Sequence, residues 1–235
     1  MSGKILDCYI DDMDAYIFQH VEFEGPGAIL PYLESRNFRI HFVKLYAGDP
    51  VPSSLDVDFA VLMGGPMSAL EEDKYPYMVE EKQLCRELFA AEKPVLGICL
   101  GAQILANAFF APIRQNPEKE IGFYPVTFEN GFTVNAFHWH GETFDIPEYA
   151  ESIAYSEACR NQGFKIGRSL GLQFHLETTA ASLNSLLENC AAEHEQALSA
   201  KAKFVQSKAQ ILETAKTALP ELNATLIGLL DAMLA

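Results

Sequence analysis

Short apolar runs alternate with stretches of helical periodicity through the first half of the chain. Residues 5–10, 39–45, 57–63 and 94–99 are the predicted strands, and residues 28–36, 78–92 and 103–110 are the predicted helices. Strands that alternate with helices join through right-handed crossovers, which produces a parallel sheet covered by helices on both faces. The pattern therefore predicts an α/β protein.

The second half of the chain is richer in tight turns. Residues 123–129, 132–138 and 153–156 are predicted strands, and Asn130-Gly131 is a good hairpin signal. Residues 164–166 and 170–175 flank Gly167-Arg168-Ser169, which indicates a second hairpin that leads into a buried strand. We expect a small antiparallel excursion beside the parallel sheet.

From residue 178 onward the composition shifts to Ala, Leu, Glu, Lys and Gln, without a strand signal. Three helices are predicted over residues 178–194, 199–219 and 221–234, with Pro220 separating the last two. These patterns predict one domain over residues 1–180 and a helical C-terminal extension over residues 181–235 that packs on the same domain.

Charge and cysteine content argue against several classes of partner. The 235 residues include 32 acidic and 17 basic side chains, a net charge of -15, and no cluster of Lys and Arg that could hold phosphates. Neither nucleic acid nor an anionic membrane is therefore an expected partner. Five cysteines without a C-x-x-C pair indicate neither a disulfide framework nor a zinc ribbon. The absence of a visible leader or a membrane-length apolar run predicts a cytoplasmic protein.

The central chemical signal is Gly97-Ile98-Cys99-Leu100-Gly101, which lies between a predicted strand and a predicted helix. A nucleophile on such a sharp turn has a strained backbone, and flanking glycines relieve the crowding around it. The turn also places the sulfur at a helix N-terminus, which favours the thiolate. A free cysteine is more often a small buried hydrophobe, and we interpret Cys8, Cys85, Cys159 and Cys190 in that way. For Cys99 the context favours a catalytic nucleophile.

His175 is the histidine best placed to serve that nucleophile. It ends the apolar strand L-G-L-Q-F-H, and chemistry in α/β sheets collects at the carboxyl ends of strands. Glu177, two residues later, can hold the second imidazole nitrogen and set the tautomer. An oxyanion would need backbone donors, for which the Leu100 N–H and the loop Gly64-Gly65-Pro66-Met67-Ser68 are candidates.

Five motifs together resemble the class I (triad) glutamine amidotransferase family, nearest to its stand-alone GMP-synthase-like members. They are G-G-P-M-S at 64–68, G-I-C-L-G-A-Q at 97–103, K-E-I-G-F at 119–123, H-W-H-G-E-T-F at 138–144 and Q-F-H-L-E at 173–177. They occur in family order with family-like spacing, and the resemblance covers about residues 4–180.

The resemblance implies a flavodoxin-like three-layer α/β/α fold and hydrolysis of glutamine to glutamate and ammonia through a γ-glutamyl thioester. It implies that Cys99 is the nucleophile, that His175 is the general acid/base and that Glu177 orients it. It also implies oxyanion donors and a substrate pocket without a metal or cofactor. The oxyanion donors are Gly65 and Leu100, and the pocket residues are Gln103, Trp139, His140, Gly141 and Glu142.

The sequence departs from the usual family text at two motif positions and in the early segment Asp11-Asp12-Met13-Asp14. Leu176 stands where a proline usually follows the catalytic histidine, which frees a backbone dihedral and makes the geometry of Glu177 less constrained. Ala102 stands where many members have histidine, a change that does not touch the triad.

Three functions remain open from the sequence. The first is a glutamine amidotransferase subunit or free-standing glutaminase, the second a hydrolase of γ-glutamyl peptides or γ-glutamyl amines, and the third a non-catalytic binding or regulatory protein. The sequence contains no G-x-x-x-x-G-K-[ST] loop and no ATP-pyrophosphatase loop, so an ammonia acceptor would require a separate synthetase subunit. An α/β-hydrolase-type esterase with a cysteine nucleophile is disfavoured. In that fold the acidic partner precedes the histidine in the chain, whereas here Glu177 follows His175.

Overall fold

The computed structural model describes residues 13–235, and the strand predicted over residues 5–10 lies outside that range. The strands are β1 (Asp14–Gln19), β2 (Arg39–Lys44), β3 (Phe59–Leu62), β4 (Val95–Ile98), β5 (Ile113–Phe128), β6 (Thr133–Phe144), β7 (Glu151–Tyr155), β8 (Gly163–Ile166), β9 (Ser169–Leu172) and β10 (Phe204–Val205). The helices are α1 (Ile29–Ser35), α2 (Tyr77–Ala90), α3 (Leu100–Ala108), α4 (Ala180–Asn189), α5 (Ala191–Ser199) and α6 (Lys208–Leu234).

These ten strands form one sheet in the order β10-β5-β7-β8-β9-β4-β3-β1-β2, and β6 pairs with β5 beside that path. The five strands β2, β1, β3, β4 and β9 are parallel. The remaining pairs are antiparallel, except that the short β10 runs parallel to β5. The expected mostly parallel sheet with an antiparallel excursion is confirmed.

Successive residues of the parallel strands point to opposite faces of the sheet, because side chains alternate along a strand. Ile17 and Val61 belong to a core that α1, α4 and α6 cover. Phe18 and Leu62 belong to a second core that α2 and α3 cover. All four side chains are fully buried, and each contributes roughly 1.5–3 kcal/mol of hydrophobic free energy. The two cores make the fold a three-layer α/β/α arrangement, as expected.

The sequence patterns do not predict β1, although it lies between β2 and β3. The strand begins at Asp14, at the end of an acidic run that hides the apolar alternation behind it. The Asp14 carboxylate is accommodated at the strand end by Arg39, whose Nε lies 3.0 Å from Oδ1, and by His41, whose Nε2 lies 2.6 Å from the same oxygen.

The helix boundaries after residue 178 differ from the predicted ones. Pro220 does not end a helix, because α6 continues through it. An internal proline costs about 3 kcal/mol in a helix, but packing of Ile211, Leu222 and Leu226 against the sheet offsets that cost. The helix predicted over residues 178–194 is divided at Cys190, and residues 200–207 include β10 rather than helix.

The C-terminal helix α6 also touches the loop after β9. The Asn223 side-chain amide donates to the carbonyl oxygens of Leu176, at 2.8 Å, and Thr178, at 3.1 Å. The division of the chain at residue 180 stays a prediction. Among the described residues, no helix has both the length and the apolarity needed to cross a bilayer.

Candidate active site

Cys99 lies on the sharp turn between β4 and α3, with φ 52° and ψ -107°. This conformation is strained for a residue with a side chain, and the hydrogen bonds on either side hold it. The Cys99 N–H donates to the Leu172 carbonyl at 2.8 Å, and its own carbonyl accepts from the Gln103 N–H at 3.1 Å. The thiol is therefore presented at the first turn of α3, at the carboxyl end of a central strand.

The glycines on either side of this turn are required by close backbone packing. A Cβ atom at Gly97 would overlap the Gly101 backbone, and a Cβ atom at Gly101 would overlap the carbonyl of Leu62 on β3. Only glycine lets α3 start this close to the sheet, which explains the spacing of the motif around Cys99.

His175 and Glu177 lie together just past β9, and both are buried. His175 Nδ1 is 2.7 Å from Glu177 Oε1, and the His175 N–H donates to the Phe137 carbonyl at 2.8 Å. Burial by itself lowers the pKa of His175, but the Glu177 carboxylate and a shared hydrogen bond with Cys99 outweigh it, so the pKa is raised well above its usual value. The arrangement favours an imidazolium beside the sulfur.

The Cys99 sulfur has two further neighbours. The Trp139 carbonyl oxygen is 3.7 Å from Sγ, and the Gln173 side-chain amide donates to Sγ at 3.5 Å. Gln173 Oε1 in turn accepts from Gln103 Nε2 at 3.1 Å. Sequence analysis missed Gln173, although its position in Q-F-H-L-E, two residues before His175, was a usable signal.

Gly65 and Leu100 both line the cavity in front of Cys99. A Cβ atom at Gly65 would lie 2.9 Å from Leu100 Cδ2 and 3.1 Å from His20 Cβ, so this loop packs directly against the start of α3. In the described part of the chain neither N–H donates to another group. The two predicted oxyanion donors therefore have free N–H groups at the same edge of the sheet.

A buried histidine holds this loop from behind, which the sequence analysis did not anticipate. His20, just past β1, has Nδ1 3.2 Å from the Gly64 carbonyl oxygen and Nε2 3.1 Å from Glu81 Oε1 on α2. Burial alone lowers the pKa of His20, but its interactions with Glu81 and Gly64 outweigh that effect and raise it. Both nitrogens face acceptors, so the ring is protonated and donates to each of them.

Glu24 is a second residue that the sequence analysis missed. Its carboxylate occupies the space that a Cβ atom at Gly64 would need, close to His175. Burial, partly countered by His175, raises the pKa of Glu24 to about 7. Within residues 13–235 the carboxylate forms no hydrogen bond or ion pair. An unpartnered carboxyl group of this kind beside a nucleophile is typical of functional sites.

A cavity of about 360 Å³ opens in front of Cys99. All the predicted pocket residues and both predicted oxyanion residues line it: Gly65, Leu100, Gln103, Trp139, His140, Gly141 and Glu142. His175 and Glu177 lie in an adjoining recess, and Glu24 borders both spaces. The structure thus brings the predicted site residues together, while their roles stay predictions.

The predicted pocket residues are mostly engaged through their own hydrogen bonds. Trp139 Nε1 donates to Glu193 Oε2 at 2.9 Å, and His140 Nδ1 donates to the Glu142 carbonyl at 3.1 Å. Gln103 Nε2 lies 3.3 Å from that carbonyl. These bonds fix the shape of the wall, which leaves the cavity preformed.

Comparison with known proteins gives a consistent result. The family model described as glutamine amidotransferase class-I matches residues 27–193. The glutamine amidotransferase-like protein YfeJ of Salmonella typhimurium is 32% identical over 215 residues, which are 85% of this chain and 89% of YfeJ. A glutamine-hydrolysing GMP synthase of Spiroplasma kunkelii is 31% identical over 51% of this chain, but the match spans only 24% of that enzyme.

A solved structure gives the same picture. The crystal structure of a glutamine amidotransferase from Thermotoga maritima superposes with a TM-score of 0.85 at 32% identity, and the match covers 94% of this chain and 98% of that one.

Proposed function

The chain belongs to the glutamine amidotransferase class-I family, and on this premise we propose that it hydrolyses the γ-amide of glutamine to glutamate and ammonia through a thioester on Cys99. The observation that carries the proposal is that Cys99 stands at the end of β4 beside the end of β9, where the His175 imidazole has its Nδ1 2.7 Å from Glu177 Oε1. This is the order of nucleophile, acid/base and orienting carboxylate that acyl transfer requires.

In the proposed reaction the Cys99 thiolate attacks the γ-carbonyl carbon while the amides of Gly65 and Leu100 donate to the oxyanion. The C–N bond then breaks, and the nitrogen leaves as ammonia after it takes a proton from the His175 imidazolium. The neutral imidazole next accepts a proton from water, whose oxygen attacks the thioester and releases glutamate. Glu177 holds Nδ1 throughout, which keeps the other ring nitrogen directed at the reacting atoms.

The charges of the cavity favour a positively charged group on the substrate. Four carboxylates line it, from Glu24, Glu71, Glu142 and Glu193, against one ammonium group from Lys119. Lys119 Nζ already lies 2.5 Å from Glu193 Oε1, so the net field is negative. Such a field attracts the α-ammonium group of glutamine.

The ammonia acceptor is the remaining part of the proposal. The relative from Spiroplasma kunkelii is described as a GMP synthase, and this chain corresponds to a quarter of it. Since the sequence contains no nucleotide-activating loop, we propose that any acceptor chemistry belongs to a separate synthetase subunit. Glutamine hydrolysis by the isolated chain that accelerates on adding that subunit would support this arrangement.

Substitution of Cys99 tests the mechanism. Cys99→Ala should lower glutamine-dependent ammonia release by at least about 10³-fold with an unchanged circular dichroism spectrum. A glutamine analogue with an electrophilic γ-carbon should label the native protein once. The label should persist in Cys190→Ala, because burial raises the pKa of that cavity thiol to about 12. Ammonia release within tenfold of the native rate in Cys99→Ala would contradict the proposal.

A γ-glutamyl amine or peptide is the second candidate substrate. The cavity volume of about 360 Å³ is in the range that holds drug-sized ligands, so it leaves room for a larger leaving group. Its four carboxylates favour a leaving group that is positively charged. Faster turnover of a γ-glutamyl diamine than of glutamine at equal concentration would select this substrate class, whereas faster turnover of glutamine would exclude it.

A further inference from the structure

Three buried side chains lie on one face of the β5–β6 hairpin, behind the wall of the Cys99 cavity. Glu120 on β5 is directly opposite His140 on β6, and His138 is two residues before His140, so all three point the same way. Glu120 and His138 are fully buried, and His140 is 6% exposed. One nitrogen or oxygen of each residue lies within 4.8 Å of the other two.

The tautomer of His140 leaves a lone pair facing a carboxylate. Its Nδ1 lies 3.1 Å from the Glu142 carbonyl oxygen, which can only accept, so Nδ1 carries a hydrogen. Its Nε2 lies 3.0 Å from Glu120 Oε2 without a well-aligned hydrogen bond. The Nε2 lone pair and the carboxylate oxygen repel each other at this separation, so a cation is needed between them.

The unpartnered ring nitrogens of His138 indicate that this cation is a metal ion and not only a proton on His140. Within the described residues neither of its ring nitrogens makes a hydrogen bond of good geometry, although Nδ1 lies 3.7 Å from the same Glu120 oxygen. An unsatisfied buried polar group costs about 1–3 kcal/mol.

We propose that Glu120, His138 and His140 bind a divalent transition-metal ion, with Zn²⁺ as the best match. Two imidazoles and one carboxylate are a common zinc ligand set. Bonds of 2.0–2.1 Å in a tetrahedral site place ligand atoms about 3.3 Å apart, and the separations of 3.0 and 3.7 Å from Glu120 Oε2 bracket that value.

The surroundings of Glu120 support a metal site. Ser156 Oγ donates to Oε1 at 3.0 Å, and Gln162 Nε2 donates to Oε2 at 2.6 Å. Hydrogen bonds of this kind orient the ligands of metal sites and tune their affinity. A neighbouring cavity of about 340 Å³, lined in part by Glu120, Tyr124 and Ser156, provides an access route and room for a water as the fourth ligand.

The ion would stabilise the wall of the Cys99 cavity without taking part in the proposed hydrolysis. His140 belongs both to the metal cluster and to the lining of the Cys99 cavity. A metal bond to His140 would hold the wall that runs from Trp139 to Glu142. The site therefore stands independently of whether glutamine is the substrate.

Metal analysis of the full-length protein tests the site. Protein stripped with a chelator and titrated with ZnCl₂ should bind one equivalent, and the ion should raise the Tm by about 5 °C at a hundredfold excess over Kd. The one-equivalent binding should be lost in His138→Gln and Glu120→Gln, and kept in His41→Gln, a control histidine outside the cluster. Co²⁺ in place of Zn²⁺ should give visible absorption bands typical of nitrogen and oxygen ligands.

Cys99 and His175 are the competing zinc ligands, so Cys99→Ala is the decisive control. The proposal requires that Cys99→Ala still binds one equivalent of Zn²⁺. It also requires that the Co²⁺ spectrum lacks a sulfur-to-metal charge-transfer band. If Cys99→Ala loses Zn²⁺ binding and His138→Gln retains it, the ion binds at the Cys99 thiol and the proposal is overturned. Binding of less than about a tenth of an equivalent by the native chain would overturn it as well.

Discussion

His20 and Glu81 form a fully buried ion pair, with His20 Nε2 3.1 Å from Glu81 Oε1. Through its other nitrogen His20 donates to the carbonyl of Gly64, the residue before the proposed oxyanion donor Gly65. The pair therefore connects helix α2 to the loop that would stabilise the transition state. A buried charge that lacks its partner is strongly unfavourable, so the two residues depend on each other.

Glu81→Gln should destabilise the protein most at low pH. His20 has a raised folded pKa, so its stabilisation is fully present below the unfolded value near 6.5 and is lost as the pH rises through the folded value. We expect a loss of about 3 kcal/mol in the free energy of unfolding at pH 6, and a smaller loss at pH 9. Urea unfolding at both pH values measures it. Exposed Glu80→Gln is the control, and equal losses at both pH values would contradict the linkage.

Glu24→Gln should change the pH dependence of both stability and activity. Burial raises the folded pKa of Glu24 to about 7, so between pH 4.5 and 7 the folded state binds more protons than the unfolded state. As the pH rises across that window, the native protein should therefore lose on the order of 3 kcal/mol of stability relative to Glu24→Gln. An inflection near pH 7 in kcat/KM should disappear in Glu24→Gln and remain in exposed Glu22→Gln. An unchanged inflection would assign it to another group.

Gly101→Ala and Gly228→Ala form a matched pair of substitutions within helices. The added methyl group at Gly101 would overlap the Leu62 carbonyl, whereas at Gly228 it meets no atom within 4 Å. Overpacking should cost Gly101→Ala about 2–3 kcal/mol, and the better helix propensity should stabilise Gly228→Ala by about 0.5–1 kcal/mol. Chemical denaturation of the two variants measures whether the free energy of unfolding falls in Gly101→Ala and rises in Gly228→Ala. A stabilised Gly101→Ala would mean that α3 can shift away from β3.

Asn223→Ala should loosen the catalytic loop from a distance. The Asn223 amide holds the carbonyls on both sides of Glu177, where Leu176 replaces the proline that would stiffen this segment. We expect a loss of about 1 kcal/mol in stability for each missing hydrogen bond and a roughly tenfold fall in kcat from misplacement of His175. Steady-state kinetics should show the change in kcat with KM nearly unchanged. Exposed Asn184→Ala, in α4, should leave kcat as it is.

Much of the α/β fold was predictable, because the apolar alternation and the glycine-bounded turns are local in the sequence. β3, β4 and β9 follow from their apolar runs, and the strained turn at Cys99 follows from Gly97 and Gly101. The continuity of helix α6 through Pro220 was not predictable, since a proline normally ends a helix and only packing against the sheet offsets the lost hydrogen bond at Pro220.

The candidate site likewise has residues that the sequence predicts and residues that only the fold reveals. The sequence by itself determined Cys99, His175 and Glu177 as candidates, because residue type and spacing report directly on the end of a strand and the start of a helix. Only the tertiary structure decided that Glu24, His20 and Gln173 surround them. His20 and Glu24 lie in the loop after β1, whereas Gln173 lies just past β9, far along the chain, and the order of strands in the sheet, which no local pattern encodes, brings the two segments together.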